Sequence, residues 1–343
     1  MNLARLPLLS LIALALAGCG GDGARRQIRA VGSSTVYPFT TAVAEQFARR
    51  RPGMQAPIVE ATGTGAGIKL FCAGVGSAYP DIVNASRRIK PAELADCRRN
   101  GIARIVELRI GIDGLILARG ATAPATGLTE RQVYAALAAE PFGRPQRART
   151  WADVDPALPA VPILVYGPPP SSGTRDALAE LILDKGCDSD PAMAALKARD
   201  AKRHTRLCTH LREDGAYVET GENDNLIVQK LAANPRAIGI FGYSFLEENE
   251  GRVRPVPIQG IAPDPATIAD GRYPGARPLY VYVKAAHLDA IPALRPFIAD
   301  YAESWGPGGY LARRGLIPSP PAVAAANRAI ARTMTPLDPA SIS

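Results

Sequence analysis

Short apolar segments recur through the first third of this 343-residue chain, and several end in glycine- and hydroxyl-rich turns that lead into helical sequence. Gln27–Val31 reads as a strand, followed by a helix over about Thr35 to Arg49. Pro57–Ala61 is a second strand with a helix near Gly67–Phe71, and Asp81–Ala85 a third with a helix beginning near Pro91. This order constrains the fold more than any other feature. Strands joined one after another through helices give α/β layers with largely parallel sheets.

The pattern continues beyond a mostly apolar stretch, Ile102–Ala118, that is long enough for two short strands carrying the chain into a second unit. There Thr129 is placed to cap a helix running to about Glu140, and Val161–Tyr166 and Ala237–Phe241 read as strands. A helix follows Thr174, a charged segment runs from Leu196 to Arg206, and another helix covers about Asn225–Ala233. A strand at Leu279–Val283 and helices over about Ile291–Ser304 and Pro320–Thr333 complete the order. Roughly 325 residues remain once the leader described next is removed, more than one hydrophobic core usually organises. The expectation is therefore two lobes, with 27–117 and 247–343 forming lobe I and 118–246 inserted as lobe II.

The first residues indicate the compartment. Arg5 precedes an apolar run, Leu6–Ala17, broken only by Pro7 and Ser10. It is far shorter than the ~20 residues of a membrane-spanning helix and reads as a signal peptide over 1–18. Leu16-Ala17-Gly18-Cys19 resembles the lipobox of bacterial lipoproteins, in which the cysteine thiol takes a diacylglycerol; the alternative is an ordinary signal peptide with a chance cysteine. Residues 19–26, with Gly20-Gly21-Asp22-Gly23, form a flexible tether. The expected location is the periplasmic side of the cell envelope, lipid-anchored through Cys19. Apart from Cys19 the cysteines are Cys72, Cys97, Cys187 and Cys208. An even number in an exported chain suggests disulfides, with three connectivities open. Pairing Cys72 with Cys97 and Cys187 with Cys208 closes loops of moderate length. Zinc on Cys187, His204, Cys208 and His210 is the rival, but the spacing matches no standard module.

Three small-polar clusters carry the candidate chemistry: Gly32-Ser33-Ser34-Thr35, Thr62-Gly63-Thr64-Gly65-Ala66-Gly67 and Ser171-Ser172-Gly173-Thr174-Arg175. Each lies between an expected strand and an expected helix. A helix start carries unpaired N–H groups and partial positive charge, so it can hold an anion. Glycine allows close backbone approach, hydroxyls add donors, and arginine adds a charge-assisted pair. Any one cluster could merely cap its helix, but ligands of open α/β sheets bind beyond the carboxyl ends of strands, where all three lie. The net charge of +8 is scattered, which favours anions in general and supplies no nucleic-acid footprint. The glycine spacing does not make a dinucleotide fingerprint, and there is no Walker-type loop or nucleophile elbow. His204, His210 and His287 read as solvated surface positions. No constellation requires an enzyme or a cofactor.

The same residues resemble the phosphate-binding component of phosphate ABC importers, in the periplasmic-binding-protein superfamily of type II topology. Val31 to Pro38, Gly63 to Ile68 and Ser172 to Arg175 resemble its three loops, with further matches at Asp81–Arg87, Asn234–Ile240 and Arg277–Val283. The resemblance implies two lobes hinged by two crossing strands and closing on a dehydrated phosphate. It implies a monomer that hands phosphate to an ABC permease of the inner membrane. Carried over by position, Ser34 and Thr35 donate through hydroxyls and backbone N–H, and Thr64 stands where a serine is usual. Ser172, Gly173 and Thr174 donate from the other lobe, Arg175 neutralises charge, and Ser86 and Arg87 lie by the site. Two positions depart from the pattern. Arg87 stands where some members have a proton-accepting aspartate, and Pro168 where some have an arginine. Glu222 or Asp224 could supply an acceptor, or simply start a helix. Sulfate, molybdate or a phosphonate are alternative ligands, and a sensor or scaffold without transport, or an exported phosphatase, are alternative functions.

Overall fold

The computed structural model describes residues 27–170, 172–220 and 224–342. The expected signal peptide, the tether, Cys19 and Glu222 therefore lie outside the described residues.

Among the described residues, nine strands form a curled open sheet flanked by helices. They are β1 (Arg29–Gly32), β2 (Ile58–Ala61), β3 (Ile82–Ala85), β4 (Ile105–Gly120), β5 (Val165–Gly167), β6 (Tyr217–Glu219), β7 (Ile238–Gly242), β8 (Val253–Pro255) and β9 (Ala276–Lys284). The order is β2-β1-β3-β9-β4-β7-β5-β6, with β8 paired to β4. β2, β1 and β3 are parallel, as are β7, β5 and β6. β9 and β4 run antiparallel between the two parallel groups.

Residue alternation explains how the first group is covered on both faces. Ala30, Ile82 and Val281 pack beneath the helices Tyr37–Arg50 and Leu294–Ser304, with Phe47, Phe297 and Tyr301. Their neighbours Val31, Val83, Tyr280 and Tyr282 pack on the opposite face with Ile68, Phe71 and Leu94. A separate apolar core gathers the second group, from Ile112 to Tyr273. Val253, Val256, Ile258, Ile268 and Tyr273 belong to this core. The stretch from 247 to about 275, expected with the first unit, thus packs with the second.

Two further expectations change. Ile102–Ala118 was expected to hold two short strands, but β4 is one strand of 16 residues with a register shift between Arg109 and Gly111. Its first half pairs with β9 and its second half with β7, so it takes part in both groups. His204 and His287, expected on the surface, are buried. His204 Nε2 lies 2.7 Å from Asp188 Oδ1, and His287 Nδ1 lies 2.6 Å from Asp81 Oδ1. His287 Nε2 also accepts from Gly76 N–H, so the partners supply the hydrogen bonds that water would. Thr129 caps its helix as expected, accepting from Gln132 N–H.

Both disulfides follow the local pairing, Cys72–Cys97 and Cys187–Cys208. The sulfurs of the proposed zinc set are thereby joined to each other, leaving only His204 close beside them. Cys187–Cys208 spans a sequence separation of 21 residues within the second core. Replacing both cysteines by alanine should lower unfolding free energy by about 3 kcal/mol, chiefly by releasing the unfolded chain. Denaturant titration checks this; an unchanged midpoint would show that the cross-link adds nothing.

Candidate anion-binding site

The loops leave the carboxyl ends of the strands. β1 ends at Gly32, whose φ of +127° and close approach to the Asn84 carbonyl leave no room for a Cβ. Its carbonyl accepts from Thr62 and Gly63 N–H, and Ser33 N–H donates to Asn84 O. The loops after β1, β2 and β3 are thereby tied together at one edge. Thr64, which opens the helix Thr64–Phe71, accepts from Ser86 N–H at 3.1 Å, and its Oγ1 lies 2.9 Å from Ser86 Oγ. Both side chains are buried.

The loop after β5 meets the loop after β1. Gly173 opens a short helix, Gly173–Ala177, which continues as a π-helical stretch, Leu178–Leu183. Ser172 Oγ caps it by accepting from Thr174 N–H. The Thr35 hydroxyl donates to Gly173 O at 3.1 Å, and the Ser34 hydroxyl donates to Asp176 Oδ2 at 2.7 Å. Ser34, Thr35, Ser172, Gly173 and Thr174 line one cleft of about 420 Å³, together with Asp113, Tyr243 and Arg314. Five of the nine expected ligand residues are thus gathered in one place.

The other four are arranged differently. Thr64, Ser86, Arg87 and Arg175 do not line this cleft. Arg87 forms a two-pronged pair with Glu93, at 2.9 and 2.7 Å. Burial pushes Glu93 upward, but the bonds from Arg87 and from Lys90 N–H outweigh it and hold the carboxyl below its ordinary range. Arg175 donates to Pro168 O, lies 3.6 Å from Glu219 and stacks over the Tyr217 ring. Burial carries the Tyr217 phenol up to about 12 against the pull of Arg175. Both guanidiniums therefore already have carboxylate partners, which dilutes the charge they can offer an anion.

Sequence reading missed Arg277. It is the second residue of β9, opposite Asp113, and is only 4% exposed. Its Nη2 donates to Thr35 Oγ1 at 2.7 Å and to Gly173 O at 3.3 Å, its Nη1 to Glu180 at 2.8 Å, and its Nε to Asp113 at 3.4 Å. One guanidinium thus holds the loops after β1 and β5 together from the strand between them. Burial pushes the Asp113 carboxyl above its ordinary range, with Arg277 opposing. The available signal was a charged residue at the head of the otherwise uncharged stretch Arg277–Val283. Asp176 and Glu180 carried no signal of their own, because their partners lie 142 and 97 residues away.

The hydroxyls of Ser34 and Thr35 also have partners within the protein. Ser34 and Thr35 were expected to donate to the ligand through their hydroxyls. Each hydroxyl has one hydrogen, and both hydrogens are engaged with acceptors on the opposite loop.

A family model described as a PBP superfamily domain matches residues 18–303. The chain belongs to the PBP superfamily. Protein SphX of Synechococcus elongatus is 32% identical over 86% of this PBP-superfamily chain and 78% of its own length. The phosphate-binding protein PstS of Staphylococcus saprophyticus is 29% identical over 85% of the chain and 83% of its own. Among solved structures, a possible phosphate binding protein from Planctomyces limnophilus superposes with a TM-score of 0.69 at 29% identity. That match covers 89% of this chain and 98% of that one. The two-lobed type II fold expected of the superfamily is the fold observed.

Proposed function

We propose that the chain captures inorganic phosphate between its two lobes and delivers it to an ABC permease of the inner membrane. The observation that carries this reading is the meeting of the Ser34-Thr35 and Ser172-Gly173-Thr174 loops, from opposite cores, on one cleft. Its relatives named as phosphate-binding proteins support the choice of ligand. Binding needs no covalent step, so the protein works as a receptor rather than an enzyme and requires no cofactor.

The ligand residues are Ser34, Thr35, Thr64, Ser86, Arg87, Ser172, Gly173, Thr174 and Arg175, with Arg277 added as the residue that joins the loops. Thr64 accepts from Ser86 N–H, and its hydroxyl hydrogen is available to an anion whenever Ser86 Oγ donates the bond between them. Arg87 and Arg175 act as partly neutralised charges beside the ligand. The lobes are 27 to about 111 with 276–342, and about 112–275. They turn about β4 and β9. The mature protein is a monomer tethered through a lipidated Cys19 on the periplasmic side of the envelope.

Calorimetry with phosphate on the mature protein tests the ligand. Saturable one-to-one binding is expected, weakened only about 3-fold in Arg175→Ala, since that guanidinium does not line the cleft and is already partly neutralised by Glu219. Absence of any phosphate heat, with turnover of a chromogenic phosphate ester instead, would replace this reading with an exported phosphatase.

A further inference from the structure

His204 is buried away from the anion cleft, against the Cys187–Cys208 disulfide. It lies on the helix Ala201–Thr209, one turn before Cys208 and on the same face. Its Nε2 stands 3.2 Å from Cys208 Sγ and 2.7 Å from Asp188 Oδ1. The ring nitrogen and the two sulfurs all lie within 4.8 Å of one another. Asp188 ends the helix Asp184–Asp188 directly after Cys187, so two short helices gather two sulfurs and a carboxylate oxygen around one imidazole. We infer that, when the Cys187–Cys208 disulfide is reduced, Cys187, Cys208, His204 and Asp188 form a structural zinc site that joins the two helices in place of the covalent link. The inference does not depend on the phosphate reading. It also differs from the set suggested by sequence: His210 is exposed, 3.8 Å from Glu213, and Asp188 takes its place.

Thiolate, imidazole and carboxylate are the ligand types zinc prefers, and tetrahedral ligands about 2.0–2.3 Å from the metal lie roughly 3.3–3.8 Å apart. The groups need only small adjustments to reach that spacing, chiefly the parting of the two sulfurs. Supporting contacts are already in place. Asp188 accepts from Lys197 Nζ through its other oxygen, Oδ2, at 2.7 Å, which leaves Oδ1 facing the imidazole. His204 Nδ1 lies 3.7 Å from Asp184 Oδ1, the position from which a carboxylate orients a ligating ring. Cys187, Cys208 and His204 are buried, whereas the side chains of Asp184 and Asp188 are 29% exposed and mark the way in. Reduction by a dithiol supplies two electrons and two protons, giving two thiols here and a disulfide in the reductant. Zinc then releases both thiol protons to solvent as it binds the two thiolates. The exported chain before oxidation is in the same dithiol state and needs no reductant.

Anaerobic titration of the mature protein with zinc, in its oxidised form and after dithiol reduction and removal of the reductant, tests the site. Cobalt serves as the coloured probe. The reduced wild type should bind one zinc per chain, at least about 100-fold more tightly than the oxidised protein. Its cobalt form should show thiolate charge-transfer absorption and the visible bands of a tetrahedral centre. Zinc should also carry the melting temperature of the reduced protein back toward that of the oxidised one. Cys187→Ser with Cys208→Ser should abolish tight binding, although Cys72 and Cys97 remain as thiols. His204→Gln and Asp188→Asn should each weaken zinc by about 10-fold or more and alter the cobalt spectrum. Equal zinc affinity in the oxidised and reduced proteins, or tight binding that survives in the double-serine variant, would overturn the assignment. So would a wild-type cobalt spectrum without thiolate absorption, or one that His204→Gln leaves unchanged. Circular dichroism establishes that each variant is folded. Should the double-serine variant not fold, the spectra of wild type and His204→Gln decide the matter.

Discussion

Alanine in place of Gly173 should leave the protein folded and reduce phosphate affinity by at least about 100-fold, or about 2.7 kcal/mol. A Cβ at this position would fall well inside van der Waals contact with Thr35 N and Cα and within 2.7 Å of Thr35 Oγ1. The first two are backbone atoms and cannot rotate away, so the loops must separate and the bond from Thr35 to Gly173 O is lost. The three atoms nearest that Cβ all belong to Thr35, across the cleft. Gly173 is the first residue of a helix, where alanine gains up to about 1 kcal/mol of intrinsic propensity. The variant separates folding from closure: its ligand-free melting temperature should match or exceed wild type, while the rise in that temperature on adding phosphate disappears. A normal phosphate-induced rise would show that the two loops need not touch in the bound state.

The second large effect concerns Arg277. Replacing it by leucine removes a buried cation and leaves Asp113, already raised by burial, without its opposing charge. Breaking a buried pair by deleting one partner typically costs about 3–5 kcal/mol, because the remaining charge loses its compensation. The loss here should fall toward the lower end, since Glu180 is half exposed and can be solvated. Denaturant unfolding of Arg277→Leu should show this loss, and adding Asp113→Asn should recover part of it. Lysine at 277 should rescue little, because the guanidinium reaches four acceptors at once and an ammonium cannot reproduce that planar spread. Additive losses in the double variant would sink the idea that Arg277 and Asp113 compensate each other.

Local signals made much of this legible in the sequence. The strands β1, β2 and β3 and their following helices were visible because apolar period and glycine-hydroxyl punctuation agree there. Thr129 was visible as a cap because its partner, Gln132, lies three residues away. The disulfide pairing was favoured by modest loop lengths. β4 was read as two strands because the apolar stretch Ile102–Ala118 is long enough for two, and Gly111 and Gly114 within it do not break the strand. Instead Gly111 admits the Leu316 side chain and the Ile317 carbonyl, and Gly114 the side chains of Ile268, Tyr243 and Ile317, against an unbroken strand. The burial of His287 depends on Asp81, 206 residues distant, and that of Arg277 on partners from several parts of the chain. Spacing alone cannot foresee such convergence. Hydrogen-bond direction at Ser34 was equally hidden, since a hydroxyl reads as donor or acceptor only once its neighbour is known.

The placement of the two disulfides has a mechanical consequence. Cys72–Cys97 sits wholly within one body and Cys187–Cys208 wholly within the other. Oxidation therefore stiffens each half of the clamp separately and ties neither jaw to its mate. Grip and release are left to weak, reversible bonds at the rim and to the flexing of two continuous ribbons of backbone.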